Sequence, residues 1–302
     1  MYDMKALYQA KSVADAVALR LAHPEAQIIA GGSDVLVQMR EGKRAGVELI
    51  SIYGLDELRG VTLEDDGTLC IGSLTSFSHI TRDPLIQQHI PVLGEAVDQV
   101  GGPQIRNIGT IGGNTCNGVT SADSASTLFA YDAVIELTGP EGVRRVPIQE
   151  FYIRAGKVDI REGEIQTAIR ISRESYERTF GHYIKYAMRN AMDIATLGTS
   201  VNVRLSPDGK TVERARVAFG VAGPVPLRAE TAERLAEGKP VSEETAEAFA
   251  QAVKEDINPR GLLAGGPGLP GWHIAVESAR RAFIEAVNRA EVRCNGKACD
   301  PV

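Results

Sequence analysis

Ile28-Ile29-Ala30-Gly31-Gly32-Ser33-Asp34 reads as a short apolar strand that runs into two glycines, a hydroxyl and a carboxylate. A helical pattern, Val35-Leu36-Val37-Gln38-Met39, follows at once. A strand that ends on paired glycines and opens a helix lets bare main-chain N–H groups approach an anion. A Cβ at those positions would hold the anion off, and the helix dipole adds favourable charge. Ser33 adds a hydroxyl donor and a cap for the helix. A tight strand-to-helix turn with no ligand uses the same residues, so this stretch alone leaves both readings open. The device returns at Thr110-Ile111-Gly112-Gly113-Asn114, as a hydroxyl, two glycines and a side-chain amide. Two such stretches in one chain suit a diphosphate gripped from two sides. Neither matches the G-x-G-x-x-G of a nicotinamide-type Rossmann unit or the Gly-Lys-Ser/Thr of a P-loop. Both of those classes are therefore disfavoured.

Around the first stretch, Ser12 caps a helix whose apolar face is Val13, Ala16, Val17 and Leu21. Residues 47–52 form a strand. Helix, strand, glycine turn, helix and strand make a small α/β unit with short connections. Residues 61–76 alternate as short strands about Asp65-Asp66-Gly67, and 91–100 are helical. Residues 101–126 carry six glycines and little periodicity, the pattern of a long functional loop. A hairpin over 134–146 and a strand at 164–169 follow. A polar boundary falls at 172–181. Beyond it, 199–205 and 213–220 alternate about Pro207-Asp208-Gly209, which predicts an antiparallel sheet. Helices at 242–255 and 273–289 are joined by a flexible loop at 261–268. The pattern is α+β, in two domains.

With 302 residues, 43% hydrophobic and 24% charged, the chain is globular and can bury a sizeable core. A net charge of −6 argues against a nucleic-acid partner. The N-terminus lacks the apolar run of a signal peptide, and no stretch has the length and apolarity of a membrane span. A cytoplasmic, reducing location is expected. Four cysteines, Cys70, Cys116, Cys294 and Cys299, are too few and too scattered for a disulfide framework. Cys294 and Cys299 lack partner ligands nearby and read as free thiols of a tail. The five histidines show no ligand spacing, so no metal site is expected.

Ala30-Gly31-Gly32-Ser33-Asp34, Gln104-Ile105-Arg106-Asn107, Thr110-Ile111-Gly112-Gly113-Asn114 and Ser121-Ala122-Asp123 together resemble the FAD subunit of molybdenum hydroxylases. Lys185-Tyr186-Ala187-Met188-Arg189, with Asp193-Ile194-Ala195 after it, adds to the likeness, which runs from the Ser12 helix to Gly223-Pro224. Within that family the chain resembles the bacterial xanthine dehydrogenase type. The resemblance implies a PCMH-type FAD-binding domain of two α/β subdomains over 1–176. A smaller C-terminal domain over 180–290, with a three-stranded antiparallel sheet and helices, and a tail at 291–302 would follow. It implies that Gln27, Ile28, Ile29, Ala30, Gly31, Gly32, Ser33 and Asp34 line the pyrophosphate and ribityl chain. Thr110, Ile111, Gly112, Gly113 and Asn114 would form the second pyrophosphate grip. Asp123 would make a polar contact to the cofactor, and Val100 and Ile165 apolar contacts near its rings. Lys185 would lie beside the isoalloxazine. No residue of this chain is expected to act as a general acid or base.

The same resemblance implies partners. A large subunit carries the molybdenum cofactor, and a small subunit carries two [2Fe–2S] clusters. Electrons pass from those clusters through FAD to NAD⁺, in a dimer of heterotrimers. This chain lacks the cysteine sets for such clusters. The alternatives are the flavin subunit of a nicotinate, aldehyde or CO dehydrogenase, a stand-alone FAD oxidoreductase, or an assembly subunit that binds nothing. The run Pro267-Gly268-Leu269-Pro270-Gly271-Trp272-His273 departs from the family pattern before the last helix.

Overall fold

The computed structural model describes residues 3–259 and 270–295. The loop expected at 261–268 and Cys299 lie outside the described residues.

The chain begins with a strand that the sequence reading missed, β1 (Met4–Gln9), followed by α1 (Val13–Ala22), β2 (Gln27–Ile29), α2 (Val35–Arg40) and β3 (Val47–Ser51). β1 and β2 both pair in parallel with β3, giving the order β1-β3-β2. Parallel neighbours need crossovers, and α1 and α2 supply them. Ser12 caps α1 as expected: its hydroxyl accepts from Asp15 N, while the Asp15 carboxylate accepts from Lys11 N at 2.8 Å. Ser33 does not cap α2. That place falls to Asp34, whose side chain makes no capping bond.

The second unit is built from β4 (Val61–Leu63), β5 (Leu69–Gly72), α3 (Phe77–Arg82), α4 (Pro84–His89) and α5 (Pro91–Val97). It continues through α6 (Pro103–Ile108), α7 (Ile111–Cys116), α8 (Asp123–Ala130), β6 (Val134–Gly139) and β7 (Gly142–Pro147). After α9 (Ile148–Phe151), β8 (Tyr152–Arg154) and β9 (Lys157–Val158), β10 (Ile165–Ile171) returns to the middle of a five-stranded antiparallel sheet, β4-β5-β10-β6-β7. The stretch expected as a long loop is thus mostly three short helices. Glycines at 109, 112 and 113 hid them, because glycine lowers helix propensity while close packing on neighbours more than offsets it.

Arg144 on β7 pins this sheet. It donates to both oxygens of Glu164, at 2.8 and 2.7 Å, and to Asp159 at 2.7 Å. Glu164 is 8% exposed, and Arg144 holds its carboxyl below the ordinary 4.5. A carboxylate depressed in the folded state stabilises at pH above its ordinary value, and that contribution fades as pH falls below it. Arg144→Met is expected to cost about 2 kcal/mol at pH 7 in urea unfolding. The variant should also lose less stability than the unsubstituted chain between pH 5 and pH 3 (about the range over which carboxylates titrate).

After α10 (Arg173–Tyr176), the third unit has β11 (Phe180–Tyr186), β12 (Leu197–Leu205), β13 (Val212–Gly220) and β14 (Leu227–Arg228), antiparallel in that order. β12 and β13 are the strands expected at 199–205 and 213–220. β11, which starts inside the expected polar boundary, makes up the three strands that the resemblance implied, and the two-residue β14 adds a short edge. α11 (Glu230–Ala236), α12 (Glu243–Ala252) and α13 (Pro270–Asn295) pack beside it. β12 is buried at every position except Arg204, because α13 and α8 both pack against it. Every residue of α8 is buried, and Ser124, Ala125 and Ser126 are small enough to let the helix fit there. α8 therefore joins the second unit to the third. The last helix runs through Asn295, and Cys294 lies in its final turn.

Candidate functional site

The first glycine stretch packs against the turn just before the second. Gly31 lies against the junction of α6 and α7, so that a Cβ there would sit 1.9 Å from the Ile108 carbonyl oxygen. Backbone packs on backbone, and only glycine fits. Gly32 follows at φ +73°, a left-handed turn that redirects the chain into α2. The N–H groups of Gly31, Gly32, Ser33 and Asp34 find no acceptor among the described residues. Gly31, Gly32 and Ser33 are half-buried and Asp34 is exposed, so four adjacent donors are open to a partner from outside the chain. A phosphate oxygen suits them.

The second stretch is built differently from expectation. Ile111 N–H donates to Thr75 O, Gly112 N–H to Ser73 O, Gly113 N–H to Thr110 Oγ1 and Asn114 N–H to Thr110 O. These amides are taken, so Thr110 to Asn114 is no second amide nest. Thr110 caps its own helix, and Gly112 is glycine because a Cβ would lie 2.5 Å from Ser73 Cβ. The unsatisfied amides come ten residues later, at the start of α8, where Ser121, Asp123 and Ser124 N–H have no acceptor among the described residues. Sequence reasoning missed these. The sign available was the Thr-Ser-Ala-Asp-Ser run, which reads as a helix start.

From Asn114 the site continues toward the third unit. Ser124 Oγ donates to Asn114 Oδ1 at 2.7 Å. Asp123, beside it, is 7% exposed and carries two donors: Tyr183 Oη on Oδ1 at 2.7 Å, and Lys185 Nζ on Oδ2 at 2.8 Å. Lys185 Nζ also donates to Gln99 O at 2.9 Å, next to the half-buried Val100. Burial pushes the Asp123 carboxyl up, against the opposing pull of Lys185 and Tyr183. The same burial, with Asp123 opposite, raises Tyr183 far above its ordinary value, so it stays a neutral donor. Lys185 is therefore half of a buried ion pair rather than a solvated charge.

Gly31, Gly32, Ser33, Asp34, Thr110 to Asn114, Asp123, Lys185 and Val100 thus lie along one path beside α6 and α7. The other expected residues have partners within the chain. Gln27 Oε1 accepts from Arg44 at the far end of β2, and Ile28 and Ala30 pack with Ile165, itself 3% exposed, in a small core. Ile29 is half-buried in β2, paired opposite Ser51. Arg106 of the Gln-Ile-Arg-Asn run ties down Asp98 and the Val100 and Gly101 carbonyls. The Cys116 thiol donates to Gln166 and burial pushes it up to about 12, so it is an inert thiol. No three His, Cys, Asp or Glu side chains converge as a metal site among the described residues, and no helix there is long and apolar enough to cross a membrane. A cavity of about 420 Å³ lies away from this path, between α4, β11 and α13.

The parallel α/β unit thus packs Gly31 against the helices of the antiparallel unit, and the third unit packs on α8. Residues 2–173 match the FAD binding domain in molybdopterin dehydrogenase, and 182–269 the CO dehydrogenase flavoprotein C-terminal domain. The chain belongs to the family of FAD-binding medium subunits of molybdenum hydroxylases, and its cofactor is FAD. It is 43% identical to the putative xanthine dehydrogenase FAD-binding subunit of Escherichia coli K12, over 96% of this chain and 98% of that one. It is 32% identical to the carbon monoxide dehydrogenase medium chain of Hydrogenophaga pseudoflava, over 94% and 96%. A solved structure of Hydrogenophaga pseudoflava carbon monoxide dehydrogenase superposes with a TM-score of 0.88, covering 96% of this chain and 99% of the other, at 32% identity.

Proposed function

We propose that this chain is the flavin-carrying relay subunit of a xanthine-dehydrogenase-type enzyme. In this reading a large subunit hydroxylates a purine-like substrate at molybdenum, and a small subunit passes the electrons through two [2Fe–2S] clusters. FAD held by this chain would supply the electron transfer between those clusters and NAD⁺, in a cytoplasmic dimer of heterotrimers. Residues 1–176 form the FAD-binding domain and 180–290 the second domain; residues 291–295, expected as the start of a tail, belong to the last helix. The observation that carries the reading is the contact of Gly31 with Ile108, which sets four free amides beside α7. The 43% identity to a relative named for xanthine dehydrogenase favours that substrate type. The fold match to carbon monoxide dehydrogenase supports, as a second reading, another molybdenum hydroxylase.

FAD supplies the electron-transfer chemistry, and the chain supplies its hold and its electrostatics. Gly31 to Asp34 donate to the diphosphate, Asn114 and Ser124 keep α7 and α8 in register, and the Lys185–Asp123 pair sets the charge at the far end. Purification of the complex by a tag on this chain, with cofactor extraction and subunit counting, tests the reading. A yellow complex with a molybdenum-bearing and an iron–sulfur partner is expected. A yellow chain alone that oxidises substrate with oxygen would replace the relay with a stand-alone oxidase. A colourless complex would remove the cofactor role.

A further inference from the structure

Tyr183 and Lys185 are alternate residues of β11 and face the same side, toward the first turn of α8. Their two donors occupy the two oxygens of Asp123. An ammonium group has three N–H donors, and Lys185 spends one on Asp123 and one on Gln99 O. One N–H is left. Its direction is fixed only while the carboxylate is fixed, and the carboxylate is fixed by Tyr183. Gly198, paired with Lys185 across β11 and β12, makes room for this: a Cβ there would lie 3.2 Å from Tyr183 Oη.

We propose that Tyr183 is a positioning residue for the flavin: its hydroxyl holds Asp123 so that Lys185 presents its third N–H, and a compensated charge, to the cofactor. The proposal rests on the reading that the flavin end of FAD lies at Lys185. Other titratable groups on elements around α8 and β11 are engaged elsewhere. Glu95 on α5 binds Arg289 of α13, with His182 of β11 beside them; Cys116 on α7 binds Gln166; and Arg214 and Arg216 of β13 and Arg228 of β14 bind Asp132 beyond the other end of α8. Arg204 on β12 and Glu213 on β13 face each other. Among the described residues only Tyr183 and Lys185 side chains bond to Asp123.

The two donors favour the carboxylate form of Asp123 against the burial that disfavours it, and that form cancels the Lys185 charge. With Tyr183 gone, the buried carboxyl takes up a proton at higher pH. Lys185 is then uncompensated, and positive charge near the ring favours the reduced flavin. Tyr183→Phe is therefore expected to bind FAD within about fivefold of the unsubstituted chain, as for loss of one hydrogen bond. Its flavin midpoint potential should match the unsubstituted value at alkaline pH and rise above it as pH falls. Gly198→Ala, which crowds the phenol, should show the same divergence. The potentials are read by dye equilibration of the FAD-loaded full chain. Parallel potential–pH curves, with or without a lower melting temperature, would overturn the positioning role alone. Failure of the unsubstituted chain to take up FAD would overturn the cofactor reading, and this proposal with it.

Discussion

Gly31→Ala is expected to purify colourless. The added methyl would lie 1.9 Å from the Ile108 oxygen, about 1.5 Å short of ordinary contact. The obstacle is a main-chain carbonyl at the end of α6, which has no rotamer to escape into. The two loops must separate, and the amides of 31–34 leave the line they share with α7. A separation on this scale should weaken FAD by at least ~100-fold, about 2.7 kcal/mol. Overpacking should lower stability by a further ~1–3 kcal/mol. Flavin absorbance per chain and urea unfolding measure the two effects. Two other glycines serve as controls. Gly32→Ala meets side chains alone, Leu36 at 3.0 Å and Ile29 at 3.4 Å, and pays for its left-handed backbone with ~1 kcal/mol. Gly42→Ala, at φ +77° with nothing nearby, should lose similar stability and keep its flavin. If Gly31→Ala retained FAD like Gly42→Ala, the junction would not be the phosphate cradle.

The order of elements was largely legible in the chain because apolar periodicity and turn residues survive without tertiary information. Ser12 and Ser242 announced their helices and cap them. β1 was missed because Met4 and Leu7 are both largely exposed, so no buried alternation marks it. The site was half legible. Glycine pairs signal that backbone must come close to something, but sequence does not say to what. At Gly31 and Gly32 the turn leaves amides bare; at Gly112 the neighbour is Ser73, inside the protein. Identical letters served two purposes, decided by partners distant in sequence. Lys185 and Asp123 were named separately through a family likeness. That they bind one another, with Tyr183 as third member, depends on the first turn of α8 coming within side-chain reach of β11, which no local pattern encodes.

Lys185→Met and Asp123→Leu should each be severely destabilising, and together much less so. Lys185 and Asp123 side chains are each 7% exposed. Removing one leaves the other ionised in a site that water barely reaches, a loss of about 3–5 kcal/mol. Asp123 without Lys185 keeps one donor, the Tyr183 hydroxyl, while Lys185 without Asp123 keeps the Gln99 carbonyl. Removing both leaves apolar side chains between α8 and β11, and most of the loss should return. The urea-unfolding cycle should then give a coupling of several kcal/mol in favour of the pair. The pH dependence has a definite sign. In Lys185→Met the burial that already raises the Asp123 carboxyl acts without its main opponent. A folded-state value above the unfolded one stabilises at low pH and is lost as pH rises through it. The deficit of that variant should therefore shrink on acidification toward the raised carboxyl range. Flavin affinity separates the pair's structural work from its work at the site. The double variant regains stability, but without the third N–H of Lys185 it should still bind FAD more weakly. Full recovery of both would mean that the pair only joins two units of the fold.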